Sequence, residues 1–357
     1  MVTAPTEPGP GSADGARRYA SIKDVASRAG VSYQTVSKVL NGGGSVAPAT
    51  LERIQRAADE VGYVPNALAR GLVTRGTKTL GVIAADPSDH VLGRFVVAAQ
   101  NEARRLGWAT VVANVDAAGS DVASCVDVLS ERRVDGILMA APQAEGDAEL
   151  GARLRDRLPV VSLHHIQGLR VPLVGSDHVQ TGALAVAHLI EHGHLRIGVI
   201  SGTPGRHVTV SRMAGCTRAL REAGLEHGEE RVQEGDWTIA GGYRATLRLL
   251  ERDPEVTALF VHNDYMAIGA MRALHERGRR VPGDVAVVGC DDAPPARYTV
   301  PALSTVRVPF EDTGRIAMTQ LVALIDGEPA PTRSTLLPVS LVTRESCGCA
   351  SETGDAP

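Results

Sequence analysis

Two groups of polar residues in this chain could do chemistry, and the first lies near the amino terminus in the segment Tyr33–Leu40. If this segment is a helix, its apolar residues face inward while Tyr33, Gln34, Ser37 and Lys38 face outward. An outward glutamine amide can pair with adenine, an ammonium group can reach guanine, and a phenol can bond to phosphate or pack on a thymine methyl. The segment therefore predicts contacts with the base edges of duplex DNA, although an ordinary helical scaffold carries a similar pattern.

The second group is spread over the carboxyl-terminal three quarters of the chain. The guanidinium of Arg212 can hold two adjacent hydroxyls or a carboxylate, and Asn263 and Asp291 each stand at the end of a predicted strand. Trp237 offers a flat face to a sugar ring, and Phe310 can form the floor of a cleft. These residues predict a small-molecule site, while a purely structural Arg212–Asp291 salt bridge and a core position for Trp237 stay open.

Other chemistry is weakly indicated. His188 and His192 place two imidazoles one helical turn apart, next to His194, but no third ligand accompanies this zinc-like spacing. Cys347 and Cys349 lie close to the carboxyl terminus. No phosphate-binding loop, nucleophile elbow or dinucleotide-binding glycine fingerprint follows a predicted strand. We therefore expect no metal, no cofactor, no catalytic residue and no enzyme activity.

The first group needs a scaffold of three short helices. A helix over Ile22–Ala29 should end at Gly30, where a left-handed residue is needed. A second helix over Tyr33–Leu40 is capped by Ser32, and a third is opened by Pro48. The predicted buried stripe of the third helix is Leu51, Ile54, Ala58 and Val61. Two helices joined by such a tight turn form a helix-turn-helix, whose second helix fits a major groove about 12 Å wide.

The second group needs parallel sheets, because apolar runs alternate with amphipathic stretches from Thr79 onward. The predicted strands are Leu80–Ala85, Thr110–Val115, Gly136–Ala141, Val160–His164, Leu173–Gly175, Arg196–Ser201, Ala258–His262 and Val285–Cys290. The predicted helices are Gly93–Leu106, Val122–Arg132, Val179–His192, Met213–Ala223, Tyr265–Arg277 and Glu311–Ile325. So many strands predict two doubly wound α/β lobes, with a ligand beyond the carboxyl ends of the strands.

Composition and charge agree with this division. The 357 residues are 43% hydrophobic, which predicts a packed core in about two to three domains. Eight Lys and Arg stand against four Asp and Glu between Ala20 and Lys78, whereas the whole chain has a net charge of −4. This asymmetry favours a polyanionic partner for the first part only.

Composition also bears on location. No apolar run reaches the length of a membrane helix, so no membrane partner is expected. Residues 1–19 read as a disordered leader without the pattern of a secretory signal, which predicts a cytoplasmic protein. The five cysteines lack a disulfide-framework spacing and are expected to be reduced.

The amino-acid sequence of the amino-terminal segment resembles the DNA-binding domain of the LacI/GalR family of bacterial repressors. The matching runs are Ile22-Lys23-Asp24-Val25-Ala26, Ala29-Gly30-Val31-Ser32, Thr35-Val36-Ser37 and Val39-Leu40-Asn41. The resemblance places the DNA-binding domain at residues 20–64. It implies that Ser32, Tyr33, Gln34, Ser37, Lys38 and Asn41 face operator DNA. The best-matching family member has Arg where this chain has Lys38, so the operators need not be identical.

The segment Gly62–Leu72 resembles the hinge helix of the same family, which implies a hinge and linker over residues 65–78. In that family the hinge folds only on DNA, and two copies enter the minor groove. The resemblance implies DNA contacts from Asn66 and Ala69, and a wedge between base steps from Leu72.

The rest of the chain, residues 79–346, resembles the periplasmic-binding-protein-like effector and dimerisation core of this family. The resemblance implies one lobe at about 79–177 plus 309–337, a second at about 178–306 plus 338–346, and a flexible tail at 347–357. It also implies that the effector site consists of His164, Arg212, Trp237, Asn263, Asp291 and Phe310. His164 and Val308 depart from the best-matching member, so the ligand itself is not implied.

The sequence thus predicts a homodimeric transcriptional repressor that a small-molecule inducer, expected to be a mono- or disaccharide, releases from a pseudo-palindromic operator. Leucine heptads are absent after Val342, which favours a dimer over a tetramer. A corepressor ligand such as a purine is the alternative. More remote alternatives are a cytoplasmic sugar-binding protein, or an enzyme that uses Asp291 and His164 as acid and base.

Overall fold

The computed structural model divides into two compact units, Met1–Thr77 and Lys78–Pro357. The residues that the structure describes are 20–40, 46–64, 76–85, 90–115, 122–154, 158–166, 170–225, 228–331 and 334–349. None of the helices within these ranges has the length and apolarity needed to cross a membrane.

Three helices form the described part of the first unit. They are α1 (Ile22–Ala29), α2 (Tyr33–Leu40) and α3 (Pro48–Glu60). A capping box begins α1, because the Ser21 hydroxyl accepts the Asp24 N–H while the Asp24 carboxylate accepts the Ser21 N–H. Gly30 ends it at a φ of 62°, a left-handed conformation that glycine adopts without strain. Local capping therefore sets the turn between α1 and α2.

A small apolar core joins the three helices. Its buried members are Val25, Ala26, Ala29, Val36, Ile54, Ala57 and Ala58. One predicted core position is wrong, because Leu51 is 38% exposed and Ala57 points inward instead. Val36 is the buried anchor of α2, so the opposite side of that helix stays in solvent.

The second unit alternates strands with helices. Its strands are β1 (Thr79–Ala84), β2 (Ala109–Asn114), β3 (Gly136–Ala140), β4 (Val160–Ser162), β5 (Val174–Ser176), β6 (Ile197–Ser201), β7 (Val232–Glu234), β8 (Ala258–Val261), β9 (Ala286–Asp291), β10 (Ser304–Arg307), β11 (Thr335–Leu337) and β12 (Ser340–Val342). Its helices are α4 (His90–Arg105), α5 (Val122–Glu131), α6 (Ala148–Leu154), α7 (His178–Glu191), α8 (His207–Glu222), α9 (Ile239–Arg252), α10 (Asp264–Glu276) and α11 (Phe310–Ile325).

Two larger sheets organise these strands. The first has the order β2-β1-β3-β4, and the second has the order β12-β10-β9-β8-β6-β7. All pairings are parallel except that of β12 with β10, and β11 pairs separately with β5. Strands β3, β6, β8 and β9 are buried along their whole length, as expected where helices cover both faces of a parallel sheet. The predicted doubly wound α/β architecture is confirmed.

Glycines allow two of the covering helices to pack closely. A Cβ on Gly182 in α7 would lie 2.0 Å from the Arg212 carbonyl oxygen in α8, and a Cβ on Gly215 would lie 2.0 Å from the Val179 carbonyl oxygen. Any side chain at these two positions would push α8 away from α7. The backbone position of Arg212 therefore depends on this glycine contact.

Several sequence-based boundaries are corrected. The helix predicted to begin at Met213 begins at His207, because α8 packs along α7 over that extra length, so Arg212 lies inside a helix. Short elements with too few residues for a clear periodicity were not predicted: β7, β10, β11, β12 and α6, together with α9. The predicted flexible tail is wrong for Cys347, which is 2% exposed and packs in the core.

Ile54→Ala should unfold the first unit selectively, because removing a fully buried Ile from so small a core costs about 2–5 kcal/mol. Hydrogen exchange of the full-length protein, read by mass spectrometry on peptides from residues 20–64, should show lost protection there and unchanged protection after residue 78. Leu51→Ala is the matched control on the same helix and should preserve protection. Equal loss in both variants would contradict this packing.

Candidate functional site

The first candidate site is the solvent-facing side of α2. Ser32, Tyr33, Gln34 and Lys38 are exposed, with Tyr33 at 51%, and Ser37 is half-buried. The Ser32 hydroxyl accepts the Thr35 N–H at 3.2 Å, which caps the helix at its predicted start. The polar side chains thus form one continuous face. The predicted contacts Asn41, Asn66, Ala69 and Leu72, and most of the predicted hinge, lie outside the described residues.

The second candidate site lies at the carboxyl ends of the strands of the second unit, where the predicted residues converge on Arg212. Its guanidinium is buried, and its Nη2 donates to the Asp291 carboxylate at 3.2 Å. Its Nη1 donates to the carbonyl oxygen of His262, and its Cζ lies 6.0 Å from the centre of the Trp237 ring. The structure therefore brings Arg212, Asp291 and Trp237 together, and the Arg212–Asp291 ion pair forms.

Asn263 stabilises the backbone next to Trp237 through two hydrogen bonds. Its Oδ1 accepts the Met266 N–H at 2.8 Å and caps α10, while its Nδ2 donates to the Trp237 carbonyl at 3.0 Å. The Trp237 indole lies against Gly202, where a Cβ would be 1.9 Å from the ring. Asn263 therefore holds the backbone that presents Trp237.

Phe310 and His164 approach from the other sheet. Phe310 packs edge-on against Phe95, with 4.8 Å between ring centres, and Arg94 lies over its ring while donating to the Asp291 carbonyl at 3.4 Å. His164 follows β4, and its Nδ1 faces a Glu145 oxygen at 3.4 Å. Phe310 is thus linked to Asp291 through Arg94, whereas the contact of His164 is with Glu145.

Five further residues near these residues, here called the cleft residues, were not predicted from the sequence: Glu145, His178, Thr209, His207 and His262. The His207 N–H donates to Glu145 at 2.9 Å, and the His207 ring stacks on that of His165 with 6.0 Å between centres. His178 and His207 begin α7 and α8, and His262 follows β8. Because ligands bind beyond the carboxyl ends of parallel strands, His262 could have been predicted from its position after β8. The hydrophobic periodicity of the sequence does not indicate the other four residues.

Burial and charge determine how these groups are protonated. Burial, followed by the nearby Arg212 charge, holds the pKa of His262 well below its usual range. Burial and then the Arg212 charge also lower the pKa of His178, with smaller contributions from the neighbouring imidazoles. Burial opposes ionisation of Glu145, but hydrogen bonds from His164 and from the His207 N–H outweigh it and lower its pKa. The site therefore combines neutral imidazoles with an ionised carboxylate.

Several buried polar atoms of this cleft have no hydrogen-bond partner among the described residues. They are His164 Nε2, His178 Nδ1, Thr209 Oγ1, Arg212 Nε and His262 Nε2. Since a buried polar group left without a partner costs about 1–3 kcal/mol, such a concentration indicates a binding site whose ligand completes the bonds.

Comparison with known proteins assigns both parts of the chain to known families. Residues 21–66 match the model for bacterial regulatory proteins of the lacI family, and residues 186–347 match that for a periplasmic binding protein-like domain. The transcriptional regulator AscG of Escherichia coli is 36% identical over 310 residues, which cover 86% of this chain and 92% of AscG.

Solved structures agree as well. A complex of the transcriptional regulator CelR with cellobiose has a TM-score of 0.70 and 34% identity, over 92% of this chain and 99% of that one. A Lac repressor dimer bound to operator and an anti-inducer has a TM-score of 0.86 and 32% identity, with the same coverage. The resemblance stated from the sequence motifs is confirmed. The chain belongs to the lacI family of bacterial regulatory proteins and is a DNA-binding transcriptional regulator of that family.

Proposed function

We propose that this protein is a homodimeric repressor that binds a pseudo-palindromic operator through α2 and is released from it by a neutral sugar bound at the Arg212 cleft. It acts in the cytoplasm, where chromosomal DNA is accessible. The proposal rests on the solvent-facing polar side of α2 and on the buried unpartnered atoms of the cleft.

The DNA-binding half follows from the chemistry of α2. Tyr33, Gln34 and Lys38 share the exposed side of a helix that is anchored through Val36. A helix presented in this way can enter the major groove, where glutamine reads adenine and lysine reaches guanine. Two copies related by a two-fold axis would read two half-sites, and residues 65–78 would serve as the hinge.

The ligand-binding part of the proposal follows from the hydrogen-bond donors and acceptors of the cleft. The Gly202 N–H donates to His262 Nδ1 at 3.2 Å, so the neutral ring carries its proton on Nε2 and offers a donor, as does Arg212 Nε. The ionised carboxylate of Glu145, which faces His164 Nδ1, offers an acceptor. A hydroxyl both donates and accepts, so a polyhydroxylated ligand satisfies both kinds of neighbour.

The charges of Arg212 and Asp291 also favour a neutral ligand. Asp291 compensates the charge of Arg212, so the pair has no net charge to attract an anionic ligand, and Trp237 offers an aromatic face to a sugar ring. The relative CelR was solved with cellobiose, so cellobiose is the first sugar to test. The ligand would lie between the lobes proposed at residues 79–177 plus 309–337 and 178–306 plus 338–346, within reach of contacts such as that of His207 with Glu145.

The proposal is tested by selecting duplexes from a randomised pool with the purified protein and then titrating the enriched duplex with ligands. We expect a pseudo-palindromic consensus whose binding weakens when cellobiose or another neutral sugar is added. No enrichment over random competitor would refute the DNA-binding half. Binding that is strengthened by a ligand, or that responds to a purine base and not to sugars, would replace the inducer with a corepressor.

Gln34→Ala should relax the preference for one base pair in each half-site by about 1–3 kcal/mol, because the bidentate amide is lost. Nonspecific affinity and its salt dependence should change little, since they come from phosphate contacts. Gln55→Ala, an exposed glutamine on α3, is the control. Affinity for single-base operator variants measures the effect, and unchanged discrimination would remove Gln34 from the interface.

Arg212→Lys should leave operator binding intact but weaken the response to sugar by about 10–100-fold, because charge-assisted hydrogen bonds are worth about 1.5–3 kcal/mol. Lysine is preferred to alanine here because it does not leave the buried Asp291 charge uncompensated. Arg218→Lys, on an exposed position of α8, is the control. Fluorescence anisotropy of a labelled operator during sugar titration measures the effect, and release at unchanged sugar concentrations would exclude Arg212 from the site.

Acidification should destabilise the second unit through His262. The pKa of His262 is lowered in the folded protein, so below about pH 6.5 this residue is protonated in the unfolded chain and stays neutral in the native state. The free energy of unfolding therefore falls as pH decreases. His262→Asn should remove up to about 1.4 kcal/mol per pH unit from the slope of unfolding free energy against pH between 6.5 and 5. His275→Asn is the exposed control. Equal slopes in all three proteins, from denaturant unfolding, would contradict the neutral assignment.

A further inference from the structure

A cluster of potential metal ligands lies at the end of α7 remote from the cleft. His188 and the C-cap residue His192 are four residues apart, so they share one side of the helix, and their ring centres are 4.3 Å apart. The spacing alone provided two ligands. The structure adds a third, because Cys349 Sγ lies 3.6 Å from His188 Nε2 and 3.1 Å from His192 Nε2.

Hydrogen bonds to the six-stranded sheet hold Cys349 near the helix. Ser346 Oγ donates to the Val287 carbonyl at 2.6 Å and accepts the Ser304 N–H at 2.8 Å. Gly348 then adopts a φ of 86°, which turns the chain before Cys349. The approach of a segment 157 residues away in sequence therefore has its own structural support.

Of the two sulfur–nitrogen distances, 3.6 Å fits the geometry around a tetrahedral ion, and 3.1 Å is about 0.2 Å shorter than that geometry requires. With Zn–S near 2.3 Å and Zn–N near 2.0–2.1 Å, neighbouring ligand atoms lie roughly 3.3–3.6 Å apart. A neutral thiol carries one hydrogen and can donate to only one of the two imidazole nitrogens. A cation satisfies the sulfur and both nitrogens at once.

The imidazole of His192 is oriented for such a role. Its Nδ1 lies 2.9 Å from the His188 carbonyl oxygen, so Nδ1 donates its proton there and Nε2 keeps a lone pair toward Cys349. Metal-ligating histidines are commonly fixed by a hydrogen bond of this kind from the other ring nitrogen.

We infer that His188, His192 and Cys349 form a binding site for a zinc-class divalent cation. One thiolate and two imidazoles select zinc, or cobalt as its spectroscopic substitute, over magnesium and calcium. The Cys347 thiol also hydrogen-bonds to His188 and to Cys349, so it lies beside these ligands, while the exposed His192 leaves one side of the site open to solvent. The ion would fasten the carboxyl-terminal segment to α7, and this inference is independent of the function proposed above.

Cobalt titration of the full-length, tag-free protein tests the site, with a non-thiol reductant present. We expect one cobalt per chain, with a thiolate-to-cobalt charge-transfer band and tetrahedral d–d bands. Cys349→Ser should abolish the charge-transfer band, whereas Cys125→Ser, a cysteine beside β2, should keep it.

Zinc should raise the melting temperature of the wild type and of Cys125→Ser, and it should not raise that of Cys349→Ser. His192→Ala alters an exposed residue and should fold, yet its affinity should fall by more than about 100-fold, since even second-shell partners are worth about 10–100-fold. His275→Ala is its control. A cobalt spectrum without a thiolate band, or one unchanged by Cys349→Ser and His192→Ala, would overturn the inference.

Discussion

The effector core depends on one buried ion pair, that of Arg212 with Asp291. A charge taken out of water must be compensated, and breaking such a pair costs about 3–5 kcal/mol. Here the guanidinium joins the middle of α8 to the end of β9, while its second amino group bonds to the carbonyl of His262. The close α7–α8 contact at Gly182 and Gly215 fixes the helix that carries it. Backbone packing therefore determines where the charge lies.

The same positive charge governs the chemistry of its neighbours. Together with burial, it keeps His178 and His262 neutral, so two imidazoles serve as directional hydrogen-bonding groups rather than as cations. The backbone near it also adopts unusual conformations, with a φ of 109° at Asp291 and 70° at Trp237. Non-glycine residues in this region carry strain that is often retained at functional sites.

Helix α7 links two features of the core. It begins with His178 in the effector cleft and ends beside the cluster of His188, His192 and Cys349. Helix α7 also packs along α8, which carries Arg212. The exposed polar face of α2 belongs to a separate unit with its own apolar core, so the two candidate sites rest on different packing.

The sequence by itself determined the local features. The bounds of α1 and α2, the left-handed Gly30 and the outward face of α2 follow from caps and periodicity within a few residues. Tertiary structure decided the start of α8 at His207, because the His207 N–H donates to Glu145, which lies 62 residues away in sequence. It likewise gathered the cleft histidines and brought Cys349 to α7. Periodicity shows which face of an element is buried, but not which distant segments meet there, since that depends on how the sheets and helices pack.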